Sequence, residues 1–208
     1  MIKKKVLNDY YAEKFLEKYL PTAKRQLVDS FSQIKIKPPL VLKIISSQVL
    51  HKSDVNGVRI INNASEIKPN FVDLLKITKS LKAKLDGILV QEFYEGEQLI
   101  IGIKKDNVFG HVILFGIGGV LTEIYEDISI RKCPITAQDA QEMLDELKAK
   151  KIFYGFRGKK LNIEFLKDIL VKASYIPIKQ KNIQEMDINP FILNEKKGAI
   201  VDARIVFN

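Results

Sequence analysis

The chain has 208 residues, 46% of them hydrophobic, and 34 Lys and Arg against 25 Asp and Glu give a net charge of +9. That composition excludes a disordered chain, and the length suits one large core or two small lobes. The lone Cys133 cannot form an internal disulfide, no apolar run follows the basic start, and Val112 to Val120 is far short of the roughly 20 residues of a membrane span. A cytoplasmic protein without membrane association is therefore expected.

Near the N-terminus, Ala12, Phe15, Leu16 and Tyr19 share one helix face. Pro39 to Ser46 is a β-rich run in which Lys43 stands alone among Leu40, Val41, Leu42, Ile44 and Ile45. A lysine in an apolar strand must reach solvent along its own stem or meet an anion, and a nucleotide phosphate is a sensible partner. The polar loop that follows holds His51 beside Lys52 and Asp54. That carboxylate could fix the imidazole tautomer and raise its nucleophilicity, although a solvated loop histidine fits the same residues equally well.

Val58 to Ile61 reads as a strand, Asn70 to Lys82 as a helix and Gly87 to Phe93 as another strand. The strand end Gln91, Glu92, Phe93 turns at Glu95 and Gly96, which can offer backbone N–H and C=O to an adenine edge, with Glu97 accepting from ribose. Taken alone, a solvated charged turn is the better reading of these residues. Gln98 to Ile103 and Val108 to Phe115 flank a polar turn at Lys104 to Asn107, the pattern of an antiparallel hairpin. Gly116, Gly118 and Gly119 have the form of a loop whose amides approach phosphate, or simply of a tight turn. His111 is expected to be structural, and Cys133 lacks the neighbours a zinc site needs.

Thr136 and Asp139 resemble a capping box before the helix face Ala140, Met143, Leu144, Leu147, and Leu166, Ile169, Leu170, Ala173 mark a further helix. In the C-terminal segment, strand alternation puts Glu185, Asp187 and Asn189 on one face and Met186 and Ile188 on the other. A turn near Glu195 and Lys196 brings Asn189 within about one residue of Asp202 on the returning strand. Two carboxylates and an amide are the oxygen donors that Mg²⁺ takes alongside nucleotide phosphates. An exposed edge hairpin with its polar residues outward is the commoner reading of such a strand pair, but Asp202 stands in an otherwise core-like strand, where a carboxylate needs a partner. Pro190 is expected to end the first strand there. The whole is α+β, with a hinge near residues 85 to 90 and approximate lobes 1–88 and 89–208.

Five stretches in this order, Leu42 to Val58, Leu89 to Gly102, Phe109 to Pro134, Gly155 to Gly158 and Glu185 to Arg204, resemble the ATP-grasp (β) subunit of ADP-forming acyl-CoA synthetases. The resemblance implies an ATP-grasp fold, two small lobes enclosing a nucleotide cleft, with Mg²⁺ and ATP/ADP as cofactors. It implies that acyl-CoA, ADP and phosphate give the acid, CoA and ATP through phosphorylated histidines, with a CoA-binding α subunit in an α2β2 heterotetramer. On this chain the phosphohistidine would be His51, with Asp54 beside it, and the metal would lie at Asp187, Asn189 and Asp202. Lys43, Gln91, Glu92, Phe93, Glu97, Gly118, Gly119, Arg131 and Arg204 would serve the nucleotide. The chain departs from the family in a short Pro21 to Pro39 segment, in Ser47 for proline and in Asn56 for the first of two glycines. Two other readings are a regulatory ATP-grasp domain without turnover and a basic nucleic-acid-binding protein. The lysines are mostly scattered singly, without aromatic interleaving, so no DNA or RNA partner is expected.

Overall fold

The first 22 residues join the C-terminal part of the chain. In this computed structural model, which describes residues 5–46, 48, 49, 52, 54–119, 127–155 and 160–208, contacts gather Ala23–Phe93 into one unit and Met1–Thr22 with Tyr94–Asn208 into another. This division differs from a boundary near residues 85 to 90. Its cause is pairing: β1 (Lys5–Leu7) is hydrogen-bonded to β11 (Ala203–Phe207), and α1 (Asp9–Leu16) packs beside the same strand.

In the Ala23–Phe93 unit an antiparallel sheet runs β2 (Arg25–Val28), β5 (Gly87–Glu92), β3 (Leu40–Ile45), β4 (Val58–Ile61). Helix α2 (Ile67–Ser80) covers one face. Leu40, Leu42, Ile44, Ile88 and Val90 point to that face and form a core with Phe71 and Leu74. Because side chains alternate along a strand, Lys43 and Gln91 belong to the opposite face. The helix starts at Ile67, three residues before Asn70, because Pro69 in a first turn costs no hydrogen bond.

The other unit has a sheet in the order β1, β11, β9 (Ile183–Leu193), β6 (Glu97–Asp106), β7 (Gly110–Ile117), β8 (Ile128–Lys132), with β10 (Gly198–Ile200) also on β9. Leu99, Ile101, Ile103, Ile113, Phe115, Met186, Ile188 and Ile205 pack with α1, α3 (Ala137–Glu146) and α4 (Ile163–Lys179) in one core. The expected capping box is present: Thr136 N donates to Asp139 Oδ2 at 2.8 Å, and Asp139 N donates to Thr136 Oγ1 at 3.1 Å. Among the described residues no helix is long and apolar enough to cross a membrane.

Strand β9 does not stop at Pro190 but continues to Leu193. The reason is a bulge in β9 itself. Leu99 pairs with Phe191 and Ile101 with Ile188, so Asn189 and Pro190 stand opposite Ile100 alone, and a missing N–H there interrupts no regular ladder.

Candidate functional site

The same point of β9 meets a second irregularity on its other side. The returning chain is split into β10 and β11, and Val201 and Asp202 lie in the gap. Asn189 N donates to the Asp202 carbonyl at 3.1 Å, and Val201 N donates to the Pro190 carbonyl at 3.3 Å. Both flanking ladders therefore break where Asn189 and Asp202 stand, freeing their side chains from the regular pleat.

Asp187 is one pleat away and opposite Arg204 on β11 and Gly102 on β6. Met186 and Ile188 are buried in the core, so Asp187 projects from the face that the helices leave uncovered. Burial, and then the negative charges of Asp202 and Glu185, push its carboxyl above the ordinary aspartate value, with Arg204 partly opposing them. Arg204 is itself paired to Glu185 at 3.4 Å. Space lies beside the carboxylate, since a β-carbon at Gly102 would meet only the Leu114 side chain, at 3.6 Å. Among the described residues no three His, Cys, Asp or Glu converge, so an all-protein metal cage is absent. Two mutually repelling carboxylates with a neighbouring amide fit Mg²⁺, which keeps other positions for phosphate and water.

In the other unit, Lys43 is only 7% exposed and Gln91 1%. Lys43 pairs with Leu89, and Gln91 with both Val41 and Arg25, so Lys43, Gln91 and Arg25 share the face turned away from α2. Arg25 was missed in the sequence because a strand of four residues carries no usable period. A buried ammonium needs a partner or an anionic ligand to offset its desolvation.

Several expected contacts are placed differently. Arg131 is not on the Asp187 face: it pairs with Ile113, a core residue, and so points toward the helices. There it forms a two-pronged ion pair with Glu146 of α3, one prong being 3.1 Å, while Ser129 also donates to Glu146. Its guanidinium is held above its ordinary value chiefly by the Glu146 hydrogen bonds, a structural use of the charge. The Glu92 and Phe93 N–H groups donate to Lys24 O at 2.9 Å and Pro39 O at 3.2 Å, so they are not available to an adenine edge. Gly118 N donates to Gln98 O at 2.6 Å, and a β-carbon there would crowd that carbonyl, which makes this glycine a packing requirement. Gly119, at φ +87°, does occupy the left-handed region. Glu97 stands with Glu95, Lys160, Leu161 and Asn194 around a pocket of about 340 Å³.

His51 lies outside the described residues, as do Ser47 and residues 120–126 and 156–159. Asp54 is exposed and lines a pocket of about 480 Å³ with Gln48, Val49 and Lys82. His111 bonds to the Ile183 carbonyl at 2.8 Å, and Cys133 is buried, which pushes its thiol up to about 12.

A family model described as an ATP-grasp domain matches residues 2–207. Acetate–CoA ligase (ADP-forming) I subunit beta of Pyrococcus furiosus is 40% identical over 173 residues, 81% of this chain and 75% of that protein. This chain belongs to the ATP-grasp family, and β subunits of ADP-forming acetate–CoA ligases are among its relatives.

Its fold agrees. The Ca. Korarchaeum cryptofilum dinucleotide forming acetyl-coenzyme A synthetase 1, in complex with coenzyme A, Ca-AMPCP and HgCl+, matches with a TM-score of 0.93 at 39% identity over 98% of this chain and 94% of that one. Another structure of that enzyme, with coenzyme A and Mg-AMPPCP and its phosphohistidine segment pointing towards the nucleotide binding site, matches with a TM-score of 0.83 at 39% identity, covering 98% and 93%. The match spans only 25% of the length of the Archaeoglobus fulgidus acetate–CoA ligase (ADP-forming) I. Within this ATP-grasp chain, Asn56 has a local explanation. It holds φ +53°, the left-handed region in which asparagine is the best substitute for glycine.

Proposed function

We propose that this chain is the nucleotide-binding β subunit of an ADP-forming acyl-CoA synthetase, working with a CoA-binding α subunit in an α2β2 assembly. Acyl-CoA, ADP and phosphate would give the acid, CoA and ATP. The observation that supports this reading is the backbone bond from Asn189 to Asp202, one pleat from Asp187, where both ladders on β9 break, in a chain related to such β subunits over most of its length.

In this reading His51 accepts the phosphoryl group on a ring nitrogen and passes it to the terminal phosphate oxygen of ADP, breaking the P–N bond as the P–O bond forms. Lys43 meets the nucleotide phosphates as a desolvated cation, with Gln91 on the same sheet face. Arg204 limits the repulsion among the carboxylates around Asp187. Mg²⁺, held by Asp187, Asn189 and Asp202, would supply charge compensation for the phosphates.

The test is to mix the chain with the matching α subunit and follow ATP formation from acetyl-CoA, ADP and phosphate with Mg²⁺. ATP is expected, and His51→Ala is expected to abolish it. Tight nucleotide binding without turnover in the complete mixture would favour the regulatory alternative instead.

A further inference from the structure

On the C-terminal side of His51, Lys52 and Gly57 are brought together by one peptide unit that is held at both ends. The Gly57 N–H donates to the Lys52 carbonyl at 2.7 Å, and the carbonyl of the same peptide, that of Asn56, accepts from Arg59 Nη1 at 2.5 Å. Because a peptide is planar, fixing its carbonyl fixes the direction of its N–H. Asn56 holds φ +53°, which a residue other than glycine adopts only at a cost. Gly57 leaves little room for a side chain, since a β-carbon there would stand 3.0 Å from the Lys52 carbonyl oxygen and 3.3 Å from Ile44 Cδ1. A loop that merely crosses solvent requires none of these constraints.

Arg59 reaches this peptide from the helix side. It pairs with Leu42, a core residue beneath α2, so its side chain lies on the α2 face. Nη1 also donates to the Val58 carbonyl at 3.0 Å, while Nη2 is paired to Asp73 Oδ2 of α2 at 2.7 Å. The two side chains are 25% and 50% exposed, where an ion pair adds little to stability. What the fork supplies is position: a guanidinium has donors enough, in a fixed plane, to hold a carbonyl and a carboxylate at once. On the N-terminal side of His51, Gln48 is tied down too. Its N–H donates to Ser46 Oγ at 3.2 Å, and its Oε1 accepts from Lys84 N, just beyond α2, at 2.6 Å.

We infer that Arg59, anchored on Asp73, is a positioning residue for phosphoryl transfer at His51: it fixes the Asn56–Gly57 peptide, which holds the carbonyl of Lys52, the residue next to the histidine. This rests on the β-subunit reading above. In the direction from ATP, an imidazole nitrogen lone pair forms the P–N bond as the bond from the γ-phosphorus to the bridging oxygen breaks, and ADP leaves with that electron pair. Such a displacement needs the nitrogen in line, and a shift of about 1 Å costs on the order of a hundredfold in rate without weakening nucleotide binding.

The experiment measures the rate at which the full chain, with Mg²⁺ and γ-labelled ATP, takes up acid-labile label on His51, alongside ATP affinity by calorimetry and thermal melting. Arg59→Met is expected to slow labelling at least about tenfold, with ATP affinity within about twofold of wild type. Its melting midpoint should fall by no more than about 3 °C. Arg59→Lys keeps the charge but cannot hold the Asn56 carbonyl and Asp73 together, and it is expected to label as slowly as Arg59→Met. Asp73→Asn, which leaves the fork without its anchor, is expected to show a smaller loss of the same kind. Labelling within about twofold of wild type in Arg59→Met, full recovery in Arg59→Lys, or a loss of ATP affinity equal to the loss of rate overturns the inference while the phosphohistidine reading stands. No label on His51 in the wild-type chain overturns both.

Discussion

The two sheets solve one architectural problem with opposite charges. Each has helices on one face and presents a few polar side chains on the other. In the sheet of Ala23–Phe93 the exceptional group is a cation, Lys43, in an otherwise apolar strand. In the larger sheet it is a carboxylate, Asp187, pushed toward its neutral form by burial first and then by Asp202 and Glu185. They also reach irregularity differently. Lys43 sits in an unbroken ladder, whereas Asp187 neighbours the place where β9 bulges against β6 and β10 gives way to β11. A charge can be set on a regular strand singly, but side chains that must converge need a break in the pleat.

Lys43→Met would break the cationic side of this comparison and have the largest effect. Losing a charge-assisted contact worth about 1.5–3 kcal/mol should weaken ADP binding about 10- to 100-fold, with the volume of the side chain retained. Titration with ADP checks it, and an unchanged affinity would remove Lys43 from the nucleotide site.

Asp187→Asn should act on the acidic side in two directions. A carboxyl whose value is raised in the folded state stabilises the fold at pH below the ordinary 3.8 and loses that contribution as pH climbs through the raised value. The asparagine variant, free of the charged form, should therefore melt on the order of 2–4 °C higher than wild type at neutral pH without metal. The gain should vanish below the ordinary value, and the rise in melting point on adding Mg²⁺ should shrink. Melting curves with and without chelator, across pH, measure both.

The smallest effect is expected where the charge is structural. Arg131→Met removes a partly exposed pair with Glu146 and should cost about 0.5–1 kcal/mol in denaturant unfolding while leaving nucleotide affinity intact. A drop in ADP affinity would return Arg131 to the site.

Much of this was legible in the sequence wherever a period could be counted. The face Leu166, Ile169, Leu170, Ala173 and the alternation Glu185, Asp187, Asn189 translate directly into α4 and β9. The convergence of Asn189 with Asp202 followed from turn position alone. Pro190 was misjudged because proline is tolerated at a bulge, and the bulge of β9 at Asn189 and Pro190 is set by its register with β6, some 90 residues away in the chain. Arg131 was misjudged because which face a residue takes on β8 depends on its pairing with β7. Lys24 and Pro39 take the hinge N–H groups from distant parts of the sequence, so no local pattern announces them. Strands such as β1 and β2, three and four residues long, show no period at all.

The central claim is that this ATP-grasp chain carries a phosphoryl group on His51, and it can be tested on the chain alone. Incubated with Mg²⁺ and ATP labelled in the γ-phosphate, the protein should take up label that is stable to base and labile to acid, as a phosphoramidate is, and His51→Ala should take up none. Absence of label in the wild type, or equal label in the His51→Ala variant, would contradict it.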